Sequence, residues 1–277
     1  RKVMAAEIHS TAIVDPKAEL DFGVKIGPYA IVEKGAKIGR DSNIEAHALI
    51  KERAIIGQGC RVGHFSVIGG DPQHLSFDPS TPSYVNLGAG VRISEGVTIH
   101  RSINENQYTE VGNDCFLMGN SHIAHDCILA ENVILANGVL LGGHVEIGKD
   151  VFVGGGAALH QFVRVGDGAM IGGMAQVSAD VPPQITLAGR NQASGLNLVG
   201  LKRRGVPLNH VSELKNLYTQ FLCRSGNLKQ RATDLLASKT PPQAEIAIGF
   251  VRFFLAGSRN FAKSLKQSNN EDPLPPM

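Results

Sequence analysis

The sequence predicts a mainly β protein: a parallel β-helix of six-residue repeats followed by a C-terminal α-helical domain. Three observations predict it. An aliphatic residue recurs every six positions through most of residues 8–177. Glycine and other small residues keep fixed places within each six. After about Asn197 the apolar spacing changes to three and four.

The repeat begins at Ile8, Val14, Leu20 and Ile26 and continues in steps of six to Ile68. It resumes at Leu87, Ile93 and Ile99, and runs again from Val111 to Val177, giving 26 hexads. Neither a helix of period 3.6 nor a strand of period 2 keeps a strict six. A short strand plus a turn does, and three such units close one triangular coil. Coils stack at about 4.8 Å, so the prism is expected to be roughly 40 Å long. Gly often follows the aliphatic residue, as at Gly27, Gly39, Gly57, Gly142 and Gly154, and is expected to permit the turn's backbone. The residue four after it is small, as at Ala12, Ala30, Ser42, Cys60, Ser66, Cys115 and Cys127. That register makes Cys60, Cys115 and Cys127 packed corner thiols rather than nucleophiles. The four cysteines contain no CxxC pair, so neither a zinc cage nor a disulfide framework is expected.

The hexads break at 69–86 and at 100–110. A β-helix can extrude such segments as loops, and long loops on a rigid scaffold commonly carry function. Past Pro182-Pro183 the repeat stops. Leu214, Leu217, Tyr218, Phe221 and Leu222, then Ile246, Phe250, Phe253 and Phe254, have helical spacing. Gly226 and Pro241-Pro242 punctuate three or four short helices. The expected organisation is a prism over 1–189, a helical domain over 190–266 and a disordered tail over 267–277.

The 277 residues carry 27 Lys and Arg against 25 Asp and Glu, a net charge of +2. That balance argues against a dedicated nucleic-acid binder. No apolar run has the length of a membrane span. The charge is unevenly shared: residues 190–268 have a net charge of +10 and residues 1–189 of −6. A basic cap on an acidic prism points to an anionic partner or substrate. The chain begins at Arg1 rather than Met, which leads to the expectation of a removed N-terminal segment.

The densest polar group is Asn120-Ser121-His122-Ile123-Ala124-His125-Asp126. Residues 18 apart stack on neighbouring coils, so His125 falls beside Gly143 and Gly143 beside Gln161. Asp126 falls beside His144, and His160 continues the column of Ala124 and Gly142. Four histidines, His122, His125, His144 and His160, thus gather on one edge. Three chemistries suit them. Histidines of adjacent coils could hold zinc at a subunit seam, although the three-residue step from His122 to His125 is shorter than the five of β-helical carbonic anhydrases. Polar side chains could simply cap strand edges. A neutral His beside a carboxylate could deprotonate a hydroxyl, with the side-chain-free Gly143 offering its N–H to an oxyanion.

The hexads resemble those of the hexapeptide-repeat acyltransferases, whose β-helix is left-handed. With HIAHD at 122–126, GGH at 142–144, HQF at 160–162, DVPP at 180–183 and GLKRRG at 200–205, the chain resembles the UDP-N-acetylglucosamine O-acyltransferases from Ile8 to about Phe261. The resemblance implies transfer of a 3-hydroxyacyl chain from acyl carrier protein to the glucosamine 3-hydroxyl of UDP-N-acetylglucosamine, the first step of lipid A biosynthesis. It implies His125 as general base, Asp126 as its orienting carboxylate and the Gly143 N–H as oxyanion donor. His122, His144, His160, Gln161 and Gln73 would contact sugar or acyl chain. Asn197, Arg203 and Arg204 would bind the nucleotide, and Gly173 and Met170 would line the acyl groove. It also implies a homotrimer with its sites between prisms. No metal or organic cofactor is implied, since acyl carrier protein brings the phosphopantetheine. Members occur in the bacterial cytoplasm and in plant mitochondria, so a soluble intracellular protein is expected, mitochondrial in a plant and cytoplasmic in a bacterium.

The chain departs from the family's pattern at three places. His74 and Ser76 replace an acidic residue and a Lys, and Val199 replaces an acidic residue. The stretch Gly189-Arg190-Asn191-Gln192 is one residue shorter than in long-chain members. The competing readings are the N-acyltransferase of the same pathway and a non-catalytic hexapeptide scaffold. The first carries an additional N-terminal domain; the second has no need of an intact His125–Asp126 pair.

Overall fold

Each hexad becomes one short strand and one turn, and the strands stack into three parallel sheets that form the faces of a prism. The computed structural model describes residues 5–257 and 259–264. The first face starts with Glu7–Ile8, the second with Ile13–Val14 and the third with Glu19–Leu20. Register is set by the 18-residue coil: Ile13 pairs with Ile31 and Val14 with Val32. The two insertions leave it undisturbed. Arg61 pairs with Arg92 across the first, and Thr98 with His122 across the second. The extruded segments run between the strands Val67–Gly70 and Tyr84–Leu87, and between Thr98–His100 and Tyr108–Val111.

The aliphatic residue of each hexad points inward, and from Ile26 to Val177 every one is buried. Ile8, in the first coil, is 48% exposed, with no coil beneath it among the described residues. Cys60, Cys115 and Cys127 are buried free thiols at the corners.

The glycines differ from expectation. The left-handed backbone of the turn falls three residues after the aliphatic one, where it is borne by glycines such as Gly35 and Gly138, with φ of 72° and 67°, and as often by non-glycine residues such as Tyr29, Asp126, His144 and Phe162, with φ of 56°, 58°, 59° and 63°. The glycine directly after the aliphatic residue is needed for another reason. A Cβ at Gly57 would lie 2.4 Å from the Gly88 carbonyl oxygen, and one at Gly39 would lie 2.7 Å from the Gln58 nitrogen. These glycines let successive coils approach.

The first sheet continues past residue 189. Ile185–Ala188 and Gln192–Leu196 form an antiparallel hairpin on it, and Lys263–Ser264 adds a last strand. Among the described residues four helices follow the hairpin: α1 (Leu198–Arg203), α2 (Leu208–Leu222), α3 (Leu228–Leu236) and α4 (Glu245–Phe253). Phe221, Phe250 and Phe254 make their aromatic core. Arg164 joins the two parts. Its guanidinium pairs with buried Asp180, donates to the Ala256 carbonyl at 2.8 Å and lies 4.4 Å over the Phe253 ring. The tail expected at 267–277 lies outside the described residues.

Candidate active site

The strand His122–Ile123 ends in a turn that places His125 and Asp126 at the corner between the second and third faces. Asp126 adopts left-handed backbone at φ 58°, and its N–H donates to Thr109 Oγ1 at 2.7 Å. The turn is therefore held from the neighbouring coil. His125 is only 7% exposed, and its Nδ1 meets Asp126 Oδ2 at 2.8 Å. That contact fixes the ring and turns Nε2 toward the next coil, where Gly143 lies.

Gly143 has room for nothing larger. A Cβ there would stand 2.5 Å from His125 Cε1 and 2.7 Å from Nε2. The His144 N–H bonds to the His125 carbonyl and the Phe162 N–H to the Gly143 carbonyl, both at 3.0 Å, so consecutive corners are tied by the backbone. Among the described residues the Gly143 N–H has no partner.

The Asp126 carboxylate is saturated with donors. Besides His125, it accepts from Ser102 Oγ, from the Ile103 N–H at 3.2 Å and from Asn104 Nδ2 at 3.2 Å. Burial alone would raise its pKa, but the bonds from His125, Ser102 and Ile103 outweigh it and hold the carboxyl at about 2. His125, Asp126 and His144 also offer three ligand atoms within 4.8 Å of one another. A metal ion there would have to displace donors from a carboxylate whose two oxygens are both engaged, so the arrangement suits an orienting carboxylate better than a metal ligand.

A cavity of about 590 Å³ opens on the dyad. Gln73, His100, His122, Gly143 and Gln161 line it, with Leu140 and Ala158 as an apolar wall. His122 Nδ1 meets Thr98 Oγ1 at 2.7 Å, and burial lowers its pKa. His144 stacks on Phe162 with centroids 4.4 Å apart, and its Nε2 is 3.9 Å from Asp126. Burial also lowers the pKa of His144, against the pull of Asp126.

The structure separates the remaining expected residues from this cavity. His160 turns away and meets Arg259 Nη2 through Nδ1 at 3.0 Å. Asn197 caps α1, accepting from the Gly200 N–H at 2.9 Å and donating to the Gly168 carbonyl at 3.0 Å. Arg204 bonds Gln184 and lines a cleft of about 830 Å³ between the third face and α4. Burial lowers its pKa, although Asp150 and Asp167 oppose this. Arg203 is exposed on α1. Gly173 is exposed at the corner between the first and second faces, stacked on Gly155, and Met170 lies on the outside of the first face beside Phe152. Within one chain the nucleotide and acyl-groove candidates thus stand apart from the dyad.

Several site residues escape the sequence reading. His100 is 9% exposed and packs edge-on against His122 with centroids 4.8 Å apart. Burial, then the neighbouring His122 and His125, lowers its pKa to about 4. His100 follows Ile99 as Ala124 follows Ile123, so its hexad position places it in the same column. The insertion after it hides this from a count of 18. Ser102 and Asn104, which hold Asp126, and Arg101, which holds the first loop, come from the second insertion, where the repeat gives no register.

Residues 180–262 match a family described as UDP-N-acetylglucosamine O-acyltransferase, domain 2, and residues 108–143 match the bacterial transferase hexapeptide repeats. The acyl-[acyl-carrier-protein]–UDP-N-acetylglucosamine O-acyltransferase of Thermodesulfovibrio yellowstonii is 41% identical over 259 residues, covering 93% of this chain and 99% of that one. The protein of the same name from Brucella ovis is 40% identical over 233 residues, covering 83% and 84%. The solved UDP-N-acetylglucosamine acyltransferase of Campylobacter jejuni superposes with a TM-score of 0.85 at 36% identity, over 93% of this chain and 99% of that one.

Proposed function

The chain belongs to the acyl-[acyl-carrier-protein]–UDP-N-acetylglucosamine O-acyltransferase family, and from that premise we propose that it moves a 3-hydroxyacyl chain from acyl carrier protein to the glucosamine 3-hydroxyl of UDP-N-acetylglucosamine, the first step of lipid A biosynthesis. The observation that carries the reading is the His125–Asp126 dyad facing an unpartnered Gly143 amide. Asp126 holds Nδ1, leaving Nε2 to take the sugar hydroxyl's proton as its oxygen attacks the thioester carbonyl. The Gly143 N–H receives the developing oxyanion. Collapse breaks the carbon–sulfur bond, and the departing thiolate recovers the proton from the imidazolium. The thioester is already activated, so the chain needs no cofactor of its own and no covalent enzyme intermediate. Gln73, His122, His144 and Gln161 surround the reacting groups.

The separation of Asn197, Arg203, Arg204, Gly173 and Met170 from the dyad supports a site completed by a second copy in a homotrimer. The outer surfaces support it too. Phe116, Ile134, Phe152 and Met170 project in an unbroken apolar row from the first face and Leu140, 50% exposed, from the second, whereas on the third Glu110, Glu146 and Arg164 surround a single apolar residue, Ile128. Arginine suits the nucleotide diphosphate. His160, held by Arg259, would contact substrate only after turning inward. Among the described residues no helix is long and apolar enough to cross a membrane. The site of action is the cytoplasm in a bacterium or the mitochondrion in a plant.

The decisive experiment incubates the protein with UDP-N-acetylglucosamine and acyl carrier protein thioesters of graded length. An O-linked ester on the 3-hydroxyl is expected. An amide product would move the assignment to the N-acyltransferase, and no product at any length would leave a scaffold. Sedimentation should give a trimer, and a fully active monomer would refute the shared site.

A further inference from the structure

Most corner turns of the prism are closed in one of two ways. In most, the fourth residue's N–H bonds the first residue's carbonyl, as from Ala30 to Gly27 and from Ala157 to Gly154. In others that bond is replaced by a hydroxyl or thiol from the preceding coil. Ser42 Oγ donates to the Gly57 carbonyl at 2.9 Å and accepts from the Cys60 N–H at 3.0 Å. Ser66 Oγ donates to the Ser94 carbonyl at 2.8 Å and accepts from the Val97 N–H at 3.1 Å. The turn Gly142-Gly143-His144-Val145 is of the second kind. Cys127 Sγ donates to the Gly142 carbonyl at 3.2 Å, and the Val145 N–H faces the same sulfur.

That carbonyl belongs to the peptide unit whose other end is the Gly143 N–H. The unit is flanked by two glycines, so no Cβ resists its rotation. The backbone anchors stand on either side of it: the Gly142 N–H bonds the Leu159 carbonyl, and the His144 N–H bonds that of His125. Among the described residues nothing but Cys127 holds the Gly142 oxygen. We infer that Cys127 is a positioning residue, whose thiol sets the plane of the Gly142–Gly143 peptide and thereby aims the Gly143 N–H at the reacting thioester. This rests on the reading of Gly143 as oxyanion donor. Burial pushes the thiol's pKa up to about 12, so the sulfur keeps its proton and remains a donor. The residue needs a small donor-and-acceptor group, which is why serine serves at the equivalent corners 42 and 66.

The test compares Cys127→Ala with Cys127→Ser and with Cys115→Ala. Cys115 makes the same kind of bridge, to the Ala130 carbonyl at 3.1 Å, away from the dyad. Losing an oxyanion donor outright costs about 10²–10³ in kcat, so misaiming one is expected to cost about tenfold. Cys127→Ala should lose that in kcat with KM for UDP-N-acetylglucosamine unchanged. Cys127→Ser should recover to within about twofold, and Cys115→Ala should match the parent chain. The Gly143 amide resonance of glycine-labelled protein should shift in Cys127→Ala and return in Cys127→Ser. An unmoved resonance overturns the inference, as does Cys127→Ser as impaired as Cys127→Ala. A shifted resonance with unchanged kcat also overturns it, and places the fault in the oxyanion reading, because the peptide then moves without consequence.

Discussion

Arg101 is the perturbation that most directly separates substrate capture from chemistry. The residue is 6% exposed, and its side chain spends nearly every donor on the first inserted loop. Nε donates to Asp71 at 2.9 Å, Nη2 to the Pro79 carbonyl at 2.7 Å, and Nη1 to Ser83 Oγ at 3.2 Å and the Thr81 carbonyl, with Phe77 packed 4.9 Å from the guanidinium. That loop carries Gln73 to the cavity. Arg101→Met keeps the stem and removes the donors. Each hydrogen bond from a charged group is worth about 1.5–3 kcal/mol net. The freed carbonyls and Asp71 regain water by loop opening, so much of the loss returns as loop mobility. Re-ordering the loop around substrate should then cost about 1.5–3 kcal/mol, or roughly ten- to a hundredfold in KM for UDP-N-acetylglucosamine. Asp126 is held by Ser102, Ile103 and Asn104 rather than by Arg101, so kcat at saturation should fall by less than about tenfold. Initial rates at saturating acyl carrier protein thioester, with limited proteolysis of the loop, measure both. A KM within about twofold of the parent with an equally resistant loop would refute the clamp. A fall in kcat alone would mean that Arg101 acts through Asp126.

His125→Ala should lower kcat by at least about 10²-fold, the usual minimum for losing a general base, while calorimetry still detects UDP-N-acetylglucosamine binding; normal turnover would remove His125 from its role. Gly143→Ala should be as inactive, because the new Cβ would meet the His125 ring at 2.5 Å, and a fully active variant would show that the ring has no fixed place there. His100 has a folded pKa of about 4 against an ordinary 6.5, so the unfolded chain binds its proton more readily between those values. Stability should therefore fall as pH drops from about 6.5 to 4, and His100→Gln should flatten that slope in urea midpoints measured across the range. Charge reversal at Lys202, Lys215 and Lys229 of the basic cap should raise the KM for acyl carrier protein, with an effect that shrinks in salt; a flat response would give the cap another task.

How far the sequence was legible follows from where order is imposed by repetition. The coils obey an arithmetic of six, so Ile26, Val62, Leu117 and Val177 announce their places, and the spacing of 18 brings His125 to Gly143 without any structure. The same arithmetic misjudged the glycines. Composition cannot distinguish a residue needed for positive φ from one needed for close coil contact, and Tyr29 and His144 accept the strained turn position themselves. The inserted loops were opaque for the opposite reason. Ser102, Asn104 and Arg101 reach the site because of how an extruded segment folds back, and no period predicts that. His160 shows a third limit: its hexad position was right, but a rotamer choice and Arg259 decide where the ring goes.

The arrangement also divides labour between two kinds of structure. His125 and Gly143 stand on consecutive coils, and their separation is set by ladder bonds of 3.0 Å such as the one between the His144 N–H and the His125 carbonyl. A strand spacing near 4.8 Å is a property of the backbone, so side-chain drift elsewhere leaves it alone. The loops supply what the prism cannot: Ser102, Ile103 and Asn104 donate hydrogen bonds to the Asp126 carboxylate, and Gln73 lines the cavity. The joint between the two is the segment from Arg101 to Asn104. Its first residue fastens the loop bearing Gln73, and the next three fasten Asp126. The loop bearing Gln73 and the orientation of His125 thus depend on four consecutive residues, and a deletion in this short loop should damage KM and kcat together; the longer loop reaches the dyad directly as well, because the His74 ring packs edge-on against His125 with centroids 6.2 Å apart.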